Sequence, residues 1–341
     1  MRALMLPPRG VELGADGPGD ARRAQTGPVL VTDHPRPEPV AGEALIRPLR
    51  VGVCATDLEL VRDDLGFTGV LGHEFVGEVV SVNAAADRGW VGRRVVGDIN
   101  AACHRCDTCE AGMPGHCPHR TVLGIRGRDG CFADGFVLPV RNLHPVPPRI
   151  SDEAAVFAEP LAAAVQVARQ LPMRPGDRVT VLGDGRLGLL VAQVLHTLNP
   201  AVRLLGRHPA KLAKAERWGI ATRPVEEVQP RHDQDAVVDC TGSPTGISTA
   251  FGLLRPRGRL VLKTTPTPRA DGVGLDWSPL VTYEYTLIGS RCGPLPDALR
   301  LLEQGRVDVL SLVTHRMRLG DGVKLLQTAA RHDAIKVVAR L

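Results

Sequence analysis

Apolar residues change their rhythm part-way along the chain. Up to about residue 150 they come in short runs, "EALIRPLRVGV" and "EFVGEVVSV", separated by proline- and glycine-rich stretches such as "HPRPEPVAGE" and "HPVPPRIS". Short apolar runs bounded by turn formers predict the strands of an irregular β domain. The stretch "GADGPGDARRAQTGP" has the texture of a loop, and no element is predicted for it. From about residue 160 the periods lengthen. "DRVTVLGDGRLGLLVAQVLHTL" passes from an apolar strand through a glycine-rich turn into a helical period. "AVRLLG" reads as a second strand and "HPAKLAKAERWG" as a helix stopped by Gly219. "DAVVDCTG" and "GRLVLKT" continue as strands. After about residue 291 the chain offers a helical "LPDALRLLEQG", then "VKLLQTAA" and a strand-like "IKVVARL". Strands and helices alternating in this way predict an α/β fold with a parallel, doubly wound sheet.

Bulk properties narrow the class. A chain of 341 residues, 43% hydrophobic and 23% charged, has material for two globular domains. The net charge of +5 is spread rather than blocked, and aromatic residues make up only 3%, so no nucleic-acid interface is expected. No run approaches the roughly 20 apolar residues of a membrane span, and "MRALMLPPRGVELG" meets prolines and charge before any signal-like apolar stretch. The expectation is a soluble, cytoplasmic protein with a small-molecule partner. Clustered cysteines in that compartment are metal ligands more often than disulfides.

Three constellations carry chemistry. Gly183, Gly185 and Gly188 form Gly-x-Gly-x-x-Gly directly after a predicted strand and at the opening of a helix, where backbone N–H groups and the positive helix end would face a pyrophosphate. Asp184, inside that loop, puts a negative charge near the phosphate unless its side chain turns to solvent. An NAD site usually places an acid about 20 residues further on to accept from the ribose 2′-hydroxyl. Here Gly206 stands in that place, followed by Arg207, His208 and Lys211. A small residue followed by cations suits a 2′-phosphate, so NADP(H) is expected over NAD(H). The plainer alternative is a set of solvated charges at a helix start.

The second constellation is "CHRCDTCEAGMPGHC", which brings Cys103, Cys106, Cys109 and Cys117 together. Four thiolates in one loop suit a tetrahedral structural zinc, and four protein ligands leave no position for substrate. His104 and His116 lie in the same segment but are not needed. The third is dispersed: Cys54 with Thr56 in "GVCATDLEL", His73 and Glu74 in "VLGHEFVGEV", and Glu159 in "FAEPLAAA". Singly, these read as a small core residue, a turn histidine and a helix-start acid. Together, sulfur, imidazole and carboxylate form a mixed set that can leave zinc a labile position.

The series "CATD", "GHEFVGEV", the four-cysteine lobe, "EPLA" and "VLGDGRLG", in this order, resembles the zinc-dependent medium-chain dehydrogenase/reductase family, alcohol dehydrogenase-like, on the branch of polyol, glucose and threonine dehydrogenases. The resemblance implies a GroES-like catalytic domain over residues 1–158 with a structural zinc lobe at 101–120. A Rossmann domain over 159–292 and a C-terminal return to the catalytic domain over 293–341 would follow. Cys54 and His73 match the catalytic zinc ligands, and Glu74 and Glu159 match positions that either bind the ion or support its ligands. Thr56 matches the hydroxyl that relays the alcohol proton and Asp57 a supporting carboxylate. Leu187, Thr241 and Gly242 join the glycine turn in the cofactor site. Two zinc ions per chain and a homodimer or homotetramer are implied. So is reversible hydride transfer between nicotinamide and a polyol or sugar-like secondary alcohol. A biosynthetic NADPH-dependent carbonyl reductase and a catalytically silent zinc- and nucleotide-binding sensor are the alternatives. The chain departs from the family pattern at Glu59, where some members carry a relay histidine, in a short Cys54-to-His73 segment, at Gly206, and in an insert near residues 12–28. Trp277 and the "YEY" at 283–285 are placed at either the cleft or a subunit contact.

Overall fold

The computed structural model describes residues 1–8, 27–62, 66–264 and 275–341. Most of the insert expected near 12–28 lies outside the described residues. The chain divides into two compact units, Met1–Glu159 with Leu312–Leu341, and Pro160–Ser311. The return to the first unit therefore begins at Leu312, later than the position 293 expected from the sequence. The helix Leu295–Glu303 stays with the second unit, where Arg169 holds Asp297 at 2.6 Å and Gln193 accepts from the Asp308 amide at 2.7 Å.

The first unit is built on a seven-stranded sheet. Its main path runs Leu143–Pro145, Arg94–Gly97, Glu74–Val82, Glu43–Gly52, Lys336–Arg340 and Val313–Arg318, and Phe136–Pro139 pairs with Glu43–Gly52 off that path. The apolar runs read from the sequence become its two longest strands. Their register sets Gly52 opposite Glu74 on one side and opposite Val338 on the other. Phe75 and Phe136 pack edge to face at 4.7 Å within the core. A three-stranded sheet of Val29–Val31, Ala3–Leu6 and Gly69–Val70 completes the β structure, with a two-stranded pair, Asn100–Ala101 and Thr121–Val122. That last pair closes the base of the cysteine lobe.

The second unit carries six parallel strands in the order Ala221–Pro224, Val202–Gly206, Val179–Leu182, Gln234–Asp239, Leu254–Leu262 and Thr286–Gly289. In chain order of strands this is the 3-2-1-4-5-6 arrangement of a dinucleotide-binding sheet. Val179–Leu182 is buried at every position, as expected of a strand covered on both faces. The predicted helix over "HPAKLAKAERWG" forms as Pro209–Arg217, and Gly219 at φ +79 follows its end. Tyr285 is a core residue of this unit, its hydroxyl donating to Phe251 O and Leu254 O at 3.0 Å each, while Trp277 is 45% exposed.

Candidate functional site

Cys54 ends an extended segment and begins the helix Ala55–Val61, whose third residue is Asp57. Asp57 Oδ2 accepts the Cys54 amide at 2.7 Å, and Oδ1 lies 3.3 Å from His73 Nδ1. One buried carboxylate thus holds the backbone of the cysteine by a hydrogen bond and stands at ion-pair distance from the ring of the histidine. Glu74 follows as the first residue of its strand. Ligand atoms of Cys54, His73 and Glu74 all lie within 4.8 Å of one another. His73 is 2% exposed and Glu74 fully buried, whereas Cys54 is half-buried.

A fourth side chain belongs here that sequence reasoning did not single out. Lys336, in the strand Lys336–Arg340, is fully buried and forms an ion pair with Glu74 Oε2. Its Nζ also reaches Val53 O at 3.4 Å and stands 5.5 Å from the Phe157 ring centre. Gly52 makes room for the pair: a Cβ there would lie 2.6 Å from Lys336 Nζ and 2.7 Å from Glu74 Oε2. The available signal was a single charge inside the apolar run "AIKVVA".

Several ionisable groups are gathered here out of water. Three potential anions, Cys54, Asp57 and Glu74, face one ammonium, with Asp57, Glu74 and Lys336 all fully buried. Burial resists charge on the His73 ring, but Asp57 and Cys54 outweigh it and hold the imidazole well above its usual range. Burial drives Lys336 down to about 8 against the pull of Cys54 and Asp57. Glu74 Oε1 is buried without a hydrogen-bond partner. The donor set and this orphaned oxygen fit a divalent ion with sulfur, nitrogen and oxygen ligands. Glu159, the fourth expected donor, is half-buried at the start of the helix Ala158–Gln170 and does not join the converging three. Thr56 is half-buried beside Asp57, and Glu59 is exposed on the same helix.

The cysteine lobe brings its four sulfurs together. Cys103 and Cys117 are 3.5 Å apart, Cys106 and Cys109 3.6 Å, and Cys106 and Cys117 3.8 Å. A tetrahedron of Zn–S bonds of about 2.3 Å has an edge of about 3.8 Å. A disulfide would require about 2.05 Å, and none of the eight cysteines forms one. His104 and His116 stay outside the four-sulfur group.

In the second unit the glycine-rich turn follows the strand Val179–Leu182 and opens a helix. Gly183 adopts φ +104, and a Cβ on Gly188 would lie 1.8 Å from Gly183 O, so the turn and its helix close only with glycine there. Gly185 precedes the helix Arg186–His196, with Leu187 half-buried in its first turn. Thr241 Oγ1 donates to the buried Asp239 Oδ1 at 2.7 Å, and Gly242 turns the chain at φ +64. Arg207 and His208 are exposed after the second strand, and Lys211 is half-buried. Asp184 does not turn to solvent. Its Oδ2 accepts the amides of Arg207 at 2.9 Å and His208 at 2.6 Å, and Oδ1 lies 2.9 Å from His208 Nδ1.

Comparisons with known proteins agree with this geometry. Residues 40–148 match the alcohol dehydrogenase GroES-like domain, and residues 187–304 match the zinc-binding dehydrogenase domain. The chain is 28% identical over 334 residues to a sorbitol dehydrogenase of Halalkalibacterium halodurans, covering 92% of this chain and 96% of that one. It is 29% identical over 333 residues to an erythritol/L-threitol dehydrogenase of Mycolicibacterium smegmatis, covering 88% and 91%. Among solved structures, a zinc-binding dehydrogenase of Sinorhizobium meliloti 1021 bound to NADP superposes with a TM-score of 0.84 at 25% identity, covering 100% of this chain and 99% of that one. The order of motifs, the two domain matches and the two clustered donor sets lead to one assignment: the chain belongs to the zinc-dependent medium-chain dehydrogenase/reductase family.

Proposed function

We propose that this chain moves a hydride between a nicotinamide dinucleotide and an alcohol or carbonyl substrate of the polyol or sugar-like secondary alcohol class. The carrying observation is the convergence of Cys54, His73 and Glu74 within 4.8 Å, with a Glu74 oxygen buried and unpartnered among them. Zinc at this set would supply a Lewis acid for the substrate oxygen. Cys54 and His73 would hold the ion, and Asp57 stands against His73 Nδ1 to orient the ring. Lys336 pairs with Glu74 and offsets its charge. Thr56, at the first turn of the helix Ala55–Val61, passes the hydroxyl proton outward. The cysteine lobe would hold a second zinc in a structural role, since four sulfurs suffice for a tetrahedral site. Gly183, Gly185 and Gly188 receive the cofactor pyrophosphate at the start of the helix Arg186–His196.

Names of relatives support the substrate class, since sorbitol and erythritol dehydrogenases both act on polyols. Of the two cofactors, Gly206 and the cations Arg207, His208 and Lys211 favour NADP(H), while the Asp184 carboxylate bound to the neighbouring amides favours NAD(H). A panel of polyols, aldoses and simple secondary alcohols with each oxidised cofactor tests the reading. Turnover with a secondary alcohol and two zinc ions per chain are expected. His73→Ala should retain one zinc and lose turnover while staying folded. Full activity in His73→Ala would refute the assignment.

A further inference from the structure

Many dinucleotide sites select NAD(H) with an acid at the end of the second strand, accepting from the ribose 2′-hydroxyl. At that position this chain has Gly206, yet a carboxylate is there all the same. It comes from Asp184 in the glycine-rich turn, carried across from the neighbouring strand. The two strands run parallel with Leu182 beside Leu205, and the Gly183 amide donates to Leu205 O at 2.8 Å. Gly206 is what admits the side chain: a Cβ there would lie 2.4 Å from Asp184 Oδ2 and 2.5 Å from its Cβ and Cγ. The glycine therefore marks a relocated acid rather than a missing one.

We propose that Asp184 is the residue that selects the cofactor, and that by occupying the amide pair of Arg207 and His208 it makes the site prefer NAD(H) to NADP(H). This rests on the dinucleotide reading of the second unit. Two backbone N–H groups at the end of the second strand form a small anion cradle, and Asp184 Oδ2 already fills it at 2.9 and 2.6 Å. His208 turns its Nδ1 onto the same carboxylate, at 2.9 Å from Oδ1 and 3.1 Å from Oδ2, so one of the cations expected for a phosphate is committed internally. A 2′-phosphate placed here would meet a fixed negative charge and spent donors. A 2′-hydroxyl would meet an acceptor: a carboxylate offers about four lone-pair sites, and the Asp184 side chain keeps 8% of its surface open.

Equilibrium binding without substrate tests this apart from catalysis. Fluorescence titration of the intact zinc-loaded chain with NADH and NADPH, and competition with 5′-AMP and 2′,5′-ADP, read the adenosine end directly. The wild-type chain should bind NADH at least tenfold tighter than NADPH. Asp184→Ser frees the amides and removes the charge, and should lower that ratio tenfold or more, chiefly by tighter NADPH binding. Asp184→Asn keeps the shape without the charge and should narrow the ratio less. Equal or tighter binding of NADPH by the wild-type chain would overturn the proposal, as would an unchanged ratio in Asp184→Ser. Binding of neither nucleotide would overturn the dinucleotide reading itself, and the proposal with it.

Discussion

Replacing Lys336 with methionine removes the ammonium from a pair in which both side chains are fully buried. In the zinc-free chain the fully buried Glu74 carboxylate would then have lost its counter-ion, and breaking one side of a buried pair costs about 3–5 kcal/mol. Methionine approximates the length of the lysine stem, so the cavity contribution stays small, and the Phe157 face gives it an apolar neighbour. The reverse change is gentler. In Glu74→Gln the lysine is left unpaired, but burial already holds it near 8, so shedding its proton at pH 7 costs only about 1–2 kcal/mol. The double variant removes both charges and should lie within about 2 kcal/mol of the wild-type chain, giving a large favourable coupling in the cycle. Amide hydrogen exchange in the strands Glu43–Gly52 and Lys336–Arg340 reads the stability of this unit separately from the rest of the chain. A loss below about 1 kcal/mol in Lys336→Met, or a double variant no more stable than Lys336→Met, would refute the ion-pair argument.

Two further perturbations test the same unit. Gly52→Ala puts a methyl group 2.6 Å from Lys336 Nζ and 2.7 Å from Glu74 Oε2, so it should cost about 1–3 kcal/mol and weaken retention of one zinc, measured by metal content after dialysis against a mild chelator. Burial raises the Asp98 carboxyl from 3.8 to about 6, so the folded chain holds a proton that the unfolded chain has released between those values, and stability falls as pH rises through that window. Asp98→Asn should match the wild-type chain near pH 4 and exceed it by up to about 3 kcal/mol at pH 7; identical pH dependence of urea denaturation in the two would contradict it.

The strands of the dinucleotide sheet and the glycine turn were legible because their signals are local: apolar runs of one period, broken by glycine at fixed offsets. The four-cysteine lobe was legible for the same reason, since its ligands span only residues 103–117. Cys54 and His73 could be paired only through the order of several motifs, and the structure brings them together with Glu74 but not with Glu159. Lys336 was missed because nothing local announces what a lone charge in an apolar strand will face across a sheet. Asp184 reads in the sequence as a charge either near the phosphate or facing solvent, and it does neither simply. Its partners are backbone amides at Arg207 and His208, and a side-chain alphabet does not record where amides converge. The short helix Ala55–Val61 escaped the apolar pattern for want of length, although it positions Cys54, Thr56 and Asp57.

Lys336 meets Val53 across 283 positions of chain. On the ribosome, Cys54, His73 and Glu74 emerge together, but the whole of Pro160–Ser311 must be made before their lysine arrives. At about 5–20 residues per second that delay is roughly thirteen to fifty seconds. During it the nascent trio is more anionic than the finished one, and its glutamate is uncommitted. Metal capture by the growing polypeptide would therefore be stronger early, and the late strand would arrive as a brake on the third donor.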